Sequence, residues 1–194
     1  ICAANPGGFQ VNTLREFAEF AGQAPDEALK YFESPDFVKN PFMQDSGLRV
    51  LYDGLWGRGN RQNSMEEFLV GAGAKKPVRF TVKDKERLYQ SVTEPVSGEL
   101  VIRRSTAGYL YLTLSCDADF IKLESAAVNS QDFTGDTCTV PYTIYPGRLH
   151  AGVNDGVIRI RGLYGEEQVH IQVTLPTNRT WADGPVFKKD FLNF

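Results

Sequence analysis

Apolar positions along this chain change period once. Up to about residue 75 they recur at three- and four-residue spacing, and beyond Pro77 they alternate; these are the periods of helix and of strand. Thr13 and Glu16 have the spacing of a capping box, in which a hydroxyl and a carboxylate satisfy N–H groups left open at a helix start. Leu14, Phe17, Ala18 and Ala21 then share a face, and Gly22 is placed to supply a left-handed stop. A second helix is predicted from Pro25, with Asp26 and Glu27 at its positive end and Leu29, Tyr31 and Phe32 packing. Ser34-Pro35-Asp36 opens a further helical turn carrying Phe37 and Val38, and Leu48, Leu51, Tyr52 and Leu55 define a face of their own. Ser64 and Glu67 repeat the capping box, followed by Met65, Phe68 and Leu69 as the apolar side. The stretches TLREFAEFAG and SMEEFLVGAG thus read as one helix written twice. Shared local constraint explains the echo: start sharply, bury Phe, stop on Gly. A duplicated docking element is the alternative.

The alternating half predicts about seven short strands, at Val78–Val82, Leu100–Ile102, Tyr109–Cys116, Phe120–Leu123, Cys138–Tyr145, Val157–Arg161 and Val169–Leu175. Turn signals separate them, among them Pro95-Val96-Ser97-Gly98, Thr134-Gly135-Asp136 and Asn154-Asp155-Gly156. Ile158 and Ile160 alternate with Arg159 and Arg161, and Val169, Ile171 and Val173 with His170 and Gln172, with Gly165 between the two runs as a hairpin requires. One buried and one solvated face is the mark of antiparallel sheets. The fold class is therefore α+β: a small helical region over 9–75, then an antiparallel immunoglobulin-like β-sandwich over 76–177. The closing stretch over 178–194 is aromatic without a period. Its Trp181, Phe187, Phe191 and Phe194 are expected to cover the sandwich edge, dock on the helices or lead into a neighbouring segment.

Two stretches, LVIRRSTAGYLYLTLSCDADFIKLE and DFTGDTCTVPYTIYPGRLHAGVNDGVIRI, carry a family likeness. Leu149, Gly152 and Gly156 fall where a Leu-x-x-Gly element precedes a Gly-initiated strand. About half the chain resembles the immunoglobulin-like domains near the start of large uncharacterised bacterial proteins. The resemblance implies an accessory sandwich and brings no catalytic residues with it. The Cys…Trp…Cys pattern of antibody domains is absent.

Composition narrows the partners. A formal charge of −3 over 194 residues announces neither a nucleic-acid footprint nor an acidic tail. No apolar run approaches the roughly 20 residues of a membrane span. The opening ICAANPGG has no signal-peptide features, and Ile1 in place of Met leads us to expect a processed chain or part of a longer one. Cys2, Cys116 and Cys138 form no CxxC pair, so zinc is not expected. Alternation points the latter two inward as buried free thiols, with a Cys116–Cys138 bridge as the alternative. A cytoplasmic home follows, although Asn178-Arg179-Thr180 is a glycosylation sequon.

Candidate chemistry is sparse. His150 has Asp155 near in sequence but no nucleophile on a constrained turn, and His170 lies on an outward strand phase. Gly54-Leu55-Trp56-Gly57-Arg58-Gly59 lacks the Lys and Ser/Thr of a phosphate loop. Trp56, Arg58 and Arg61 have nucleic-acid chemistry, opposed by the acidic balance. Asp117, Asp119, Asp132 and Asp136 lack the EF-hand spacing for calcium. We therefore expect no enzyme, no cofactor and no metal, but a scaffold or interaction module of a larger protein or assembly. Its partner is a protein or a neighbouring domain of the same chain. The alternative is a carbohydrate-binding sandwich. Tyr109, Tyr111 and Tyr145, on the phase opposite the core residues, provide its stacking platform, and Trp181 joins them as possible interaction surface.

Overall fold

Thr13 starts the first helix as its spacing predicts. Its Oγ1 accepts the Glu16 N–H at 3.1 Å, and Glu16 Oε1 accepts the Thr13 N–H at 3.0 Å. The amide of Asn12, followed by that of Thr13, holds the Glu16 carboxyl below its ordinary range. A computed structural model describes residues 11–56 and 59–177, and the chain divides into two units between Val78 and Arg79.

The helical unit comprises α1 (Leu14–Gln23), α2 (Pro25–Phe32), 3-10 turns at Phe37–Lys39 and Pro41–Gln44, α3 (Ser46–Leu55) and α4 (Arg61–Gly71). Gly22 does not stop α1. The helix runs through it to Gln23, and the N–H of the capping residue Ala24 bonds the Phe20 carbonyl at 2.8 Å. Pro25 ends it, because the residue before a proline is pushed out of the helical region. The second capping box is also displaced. Asn60 caps α4, its Oδ1 accepting the Asn63 N–H at 2.9 Å, while Ser64 lies buried one turn inside and bonds back to the Asn60 carbonyl. Asn is as good a cap as Ser and comes first. Gly73, at φ +78°, does form the left-handed stop. One copy of the echo therefore has the box and the other the glycine.

The core of this unit is aromatic. Phe37, fully buried, has the rings of Phe17, Phe32, Tyr52, Phe68, Phe42 and Tyr31 within 4.8–5.8 Å. Its polar edges are satisfied: Tyr52 Oη donates to the Phe32 carbonyl, and Asn40 Nδ2 donates to Tyr31 Oη at 2.7 Å. Burial pushes Tyr52 up to about 12.

On α4 Glu66 is buried, with Oε1 2.6 Å from Lys75 Nζ and Oε2 without a partner. Desolvation raises its pKa against the opposing pull of Lys75. A carboxyl raised in the folded state stabilises while protonated, and that contribution is lost as pH rises through the folded pKa. Lys75→Met is accordingly expected to cost about 2 kcal/mol at neutral pH, less than a fully buried pair because Glu66 can take up a proton instead. The cost should shrink as pH falls toward the ordinary carboxylate range, and Glu66→Gln should abolish the pH dependence. Urea midpoints across that range check this.

The second unit contains β1 (Phe80–Val82), β2 (Glu86–Gln90), β3 (Val96–Arg104), β4 (Tyr111–Cys116), β5 (Ile121–Leu123), β6 (Ala127–Asn129), β7 (Thr137–Ile144), β8 (Gly152–Gly162) and β9 (Gly165–Leu175). One sheet has the order β1-β3-β7-β5 and the other β2-β9-β8-β4-β6. Taken as A, B, E, D and, for β9-β8-β4, as G, F, C, this is the constant-type immunoglobulin arrangement. The structure is thus α+β, a helical region followed by a β-sandwich. The sheets are antiparallel with one exception: β2 pairs parallel to β9. Asp84 and Ser91, both non-glycine residues at positive φ, bracket this strand.

Two expected turns are strand. Val96-Ser97-Gly98 begins β3, and Asn154-Asp155-Gly156 lies within β8. Their glycines are there for space rather than for turning, since a Cβ on Gly156 would come within 2.8 Å of the Ala118 Cβ. Thr134-Gly135-Asp136 is a true turn, with Gly135 at φ +64°. Cys138 is buried and Cys116 half-buried, and both are free thiols that burial pushes up in pKa. Cys2, Asn178, Trp181 and the tail phenylalanines lie outside the described residues.

Candidate functional site: the groove beside β5

The end of β7 delivers Tyr145 to the open side of the first sheet. Its phase opposes Ile144, which is fully buried, and Tyr145 is 39% exposed. The backbone fixes it: the Tyr145 N–H donates to the Phe120 carbonyl at 2.8 Å, and its own carbonyl accepts the Arg148 N–H at 3.2 Å across the 3-10 turn Pro146–Arg148. Beside it β5 runs along the sheet edge, paired to β7 from Ile121↔Ile144 to Leu123↔Tyr142. Together they border a groove of about 660 Å³ lined by Asp119, Ile121, Lys122, Leu123, Tyr145, Gly147 and Arg148. Ile121 and Leu123 are its apolar lining, with Ile121 packed inward against Gly156. Arg148 meets Asp119 at 3.4 Å in an exposed pair, and Lys122 has no ion-pair partner among the described residues.

A second groove, of about 500 Å³, lies beside β2, but its central cation is already spent. Arg87 donates to the carbonyls of Asp84, Lys83 and Glu99 and to Tyr142 Oη, strapping β2 to β3. That arrangement is structural.

The three tyrosines do not form one platform. Tyr111 sits on β4 opposite Asn129, in the sheet across the core from Tyr145, and it is half-buried, as is Tyr109. Trp181 lies outside the described residues. Trp56, 53% exposed, leans on Tyr52 at 5.6 Å, while Arg61 is held by Glu33. Arg58, the third residue of that set, lies outside the described residues.

His150 and Asp155 are not brought together. His150 Nδ1 contacts the Ala151 carbonyl at 2.9 Å, and Asp155 Oδ1 accepts from Gln172 Nε2 at 3.0 Å. What holds the His150 loop is a residue that sequence reading took for a turn former. Asn154, 3% exposed, accepts the His150 N–H through Oδ1 and donates through Nδ2 to the carbonyls of His150, Gly152 and Val173. Its position on the inward phase of β8 was the available signal. The aspartates are likewise used singly: Asp117 accepts the Val157 N–H, and Asp132 caps the Asn129 N–H. Among the described residues no three metal-ligating side chains gather. No helix there is long and apolar enough to cross a membrane.

The model of a family of unknown function, DUF5717 N-terminal, matches residues 7–189. No curated protein matches the chain. Solved structures similar to part of it include that of tripeptidyl peptidase 2, at 15% identity over 61% of this chain and 11% of that one, with a TM-score of 0.44. The YadV chaperone is 8% identical over 51% of this chain and 52% of its own, at a TM-score of 0.37. A PapD-like domain of human CEP192 is 10% identical over 53% and 89%, at 0.38.

Proposed function

We propose, for a chain that belongs to the DUF5717 N-terminal family of unknown function, a non-catalytic interaction module working within a larger protein or assembly. The observation that carries this reading is the groove beside β5. A backbone-anchored tyrosine, a lysine without an ion-pair partner among the described residues and an exposed, exchangeable ion pair stand there along the last strand of the described sheet order. These groups suit binding, and the groove lining holds no histidine and no serine, threonine or cysteine nucleophile beside a base, as proton transfer to a nucleophile requires. The histidine that might have served is tied into its own loop. A cytoplasmic setting belongs to the proposal, supported by the free thiols of Cys116 and Cys138. The carbohydrate reading retains one stacking ring, Tyr145.

A photo-crosslinking residue at position 145 in the full-length protein is expected to capture a protein or another domain of the same chain. One placed at exposed Thr113, in the other sheet, is expected to capture none. A screen against esters, phosphoesters, peptides and glycosides is expected to show no turnover. Turnover that disappears in His150→Ala would overturn the non-catalytic reading. Oligosaccharide binding without turnover, weakened by Tyr145→Ala, would replace the protein partner with a glycan.

A further inference from the structure

We infer that the β5 groove takes an extended peptide as an added strand, with an acidic side chain of that peptide held between Lys122 and Arg148. This rests on the interaction reading above and names its partner.

Ladder parity supplies the first argument. The Tyr145 N–H donates to the Phe120 carbonyl, and the Glu124 N–H to the Pro141 carbonyl. In an antiparallel pair each residue turns its N–H and C=O to the same side, and successive residues alternate. Phe120, Lys122 and Glu124 therefore face β7, while Ile121 and Leu123 present their backbone groups to the open edge. The Ile121 N–H is used by the Ala118 carbonyl. Among the described residues the Ile121 carbonyl and both backbone groups of Leu123 have no backbone partner, which leaves them for an incoming strand.

Three backbone groups on a three-residue edge do not fix a register by themselves; short edges are how proteins discourage indiscriminate pairing. Side chains must select the partner. Lys122 alternates with Ile121 and Leu123, so its side chain stands on the outer face. A residue opposite it on an added strand would share that face, where opposite charges attract and like charges repel. Among the described residues Lys122 has no ion-pair partner and the Arg148 side chain pairs only with Asp119, the two side chains being 66% and 72% exposed. Such a pair exchanges partners at little cost. The groove thus offers two cations against one anion. Tyr145 shares that outer face one strand in from the edge, so it lies nearest the residue two along from the acidic one.

The test uses a capped heptapeptide of alternating threonine and valine with one central glutamate, and its twin with lysine there. Each is titrated into the 194-residue chain and followed by amide resonances. With the glutamate peptide, the Leu123 amide is expected to shift downfield and exchange more slowly. The lysine twin should bind about tenfold more weakly, and Lys122→Glu, a surface change, should reverse the preference. A silent Leu123 amide with both peptides overturns strand addition. If oligosaccharides then move Tyr145, the groove remains an interaction surface of another kind. If Tyr145 neither responds nor crosslinks, both readings fall. A concentration-dependent dimer that Lys122→Glu dissociates, without peptide binding, would seat a second copy there instead and also overturn the proposal.

Discussion

Phe37→Ala is expected to cost the helical unit about 4 kcal/mol, as large-to-small changes at a fully buried ring do. Phe37 sits on a 3-10 turn, a segment with little stability of its own, yet six rings from every helix layer close on it. Phe17 comes from α1, Tyr31 and Phe32 from α2, Tyr52 from α3 and Phe68 from α4. Helices of 8 to 11 residues do not persist in water without a shared core, so removing the hub removes what they share. The surrounding rings cannot collapse into the void freely. Tyr31 and Tyr52 are pinned through their hydroxyls to Asn40 and to the Phe32 carbonyl. Far-ultraviolet ellipticity followed through urea should show the midpoint of the helical signal falling sharply, with Phe37→Leu recovering most of the loss. An unchanged midpoint would mean that the aromatic cluster is not what organises the unit.

That hub was visible as an apolar residue after a turn signal, but its centrality was not, because six partners spread from Phe17 to Phe68 leave no local trace. The same limit explains the misread boundaries. Asn60 and Ser64 are both good caps four residues apart, and helical periodicity is indifferent to one extra turn. Ala-Gly closes both copies of the echo, yet only Gly73 turns left-handed, because Pro25 had already decided where α1 ends. Strand β2 escaped notice for a different reason. Its residues run exposed, half-buried, exposed, with no buried position, so the alternation that marks strands was never written in apolar letters. Its parallel pairing with β9 joins residues distant in sequence. At the candidate groove, the outward exposure of Tyr145 was legible from its phase. Asp119, Lys122 and Arg148 were not, since the groove is assembled from β5 and the turn after β7, and the charge of each residue reads alone as ordinary surface.

Gly98→Ala is expected to destabilise the sandwich by about 3 kcal/mol, and for a reason that makes the effect reversible by a second change. Gly98 pairs directly with Tyr142 across β3 and β7, and the tyrosine ring folds over it. A Cβ there would lie 2.8 Å from Cε2 and closer still to Cζ and the hydroxyl. The ring has nowhere to retreat. Tyr142 is fully buried, its hydroxyl lies 2.7 Å from that of Tyr89 and 3.3 Å from Arg87 Nη1, and Arg87 is itself anchored on the Asp84 and Glu99 carbonyls. Moving the ring would loosen the strap that holds β2, so the Arg87 and Tyr89 amides should exchange faster in Gly98→Ala than in the parent. Tyr142→Leu alone should also destabilise, by opening a cavity and releasing Tyr89 and Arg87. In the double variant the added methyl occupies space the lost ring vacates, so the two costs should fall short of their sum by more than about 1 kcal/mol. Urea midpoints of the four proteins measure that coupling. Strict additivity would show that Gly98 is there for its backbone and not for the tyrosine above it.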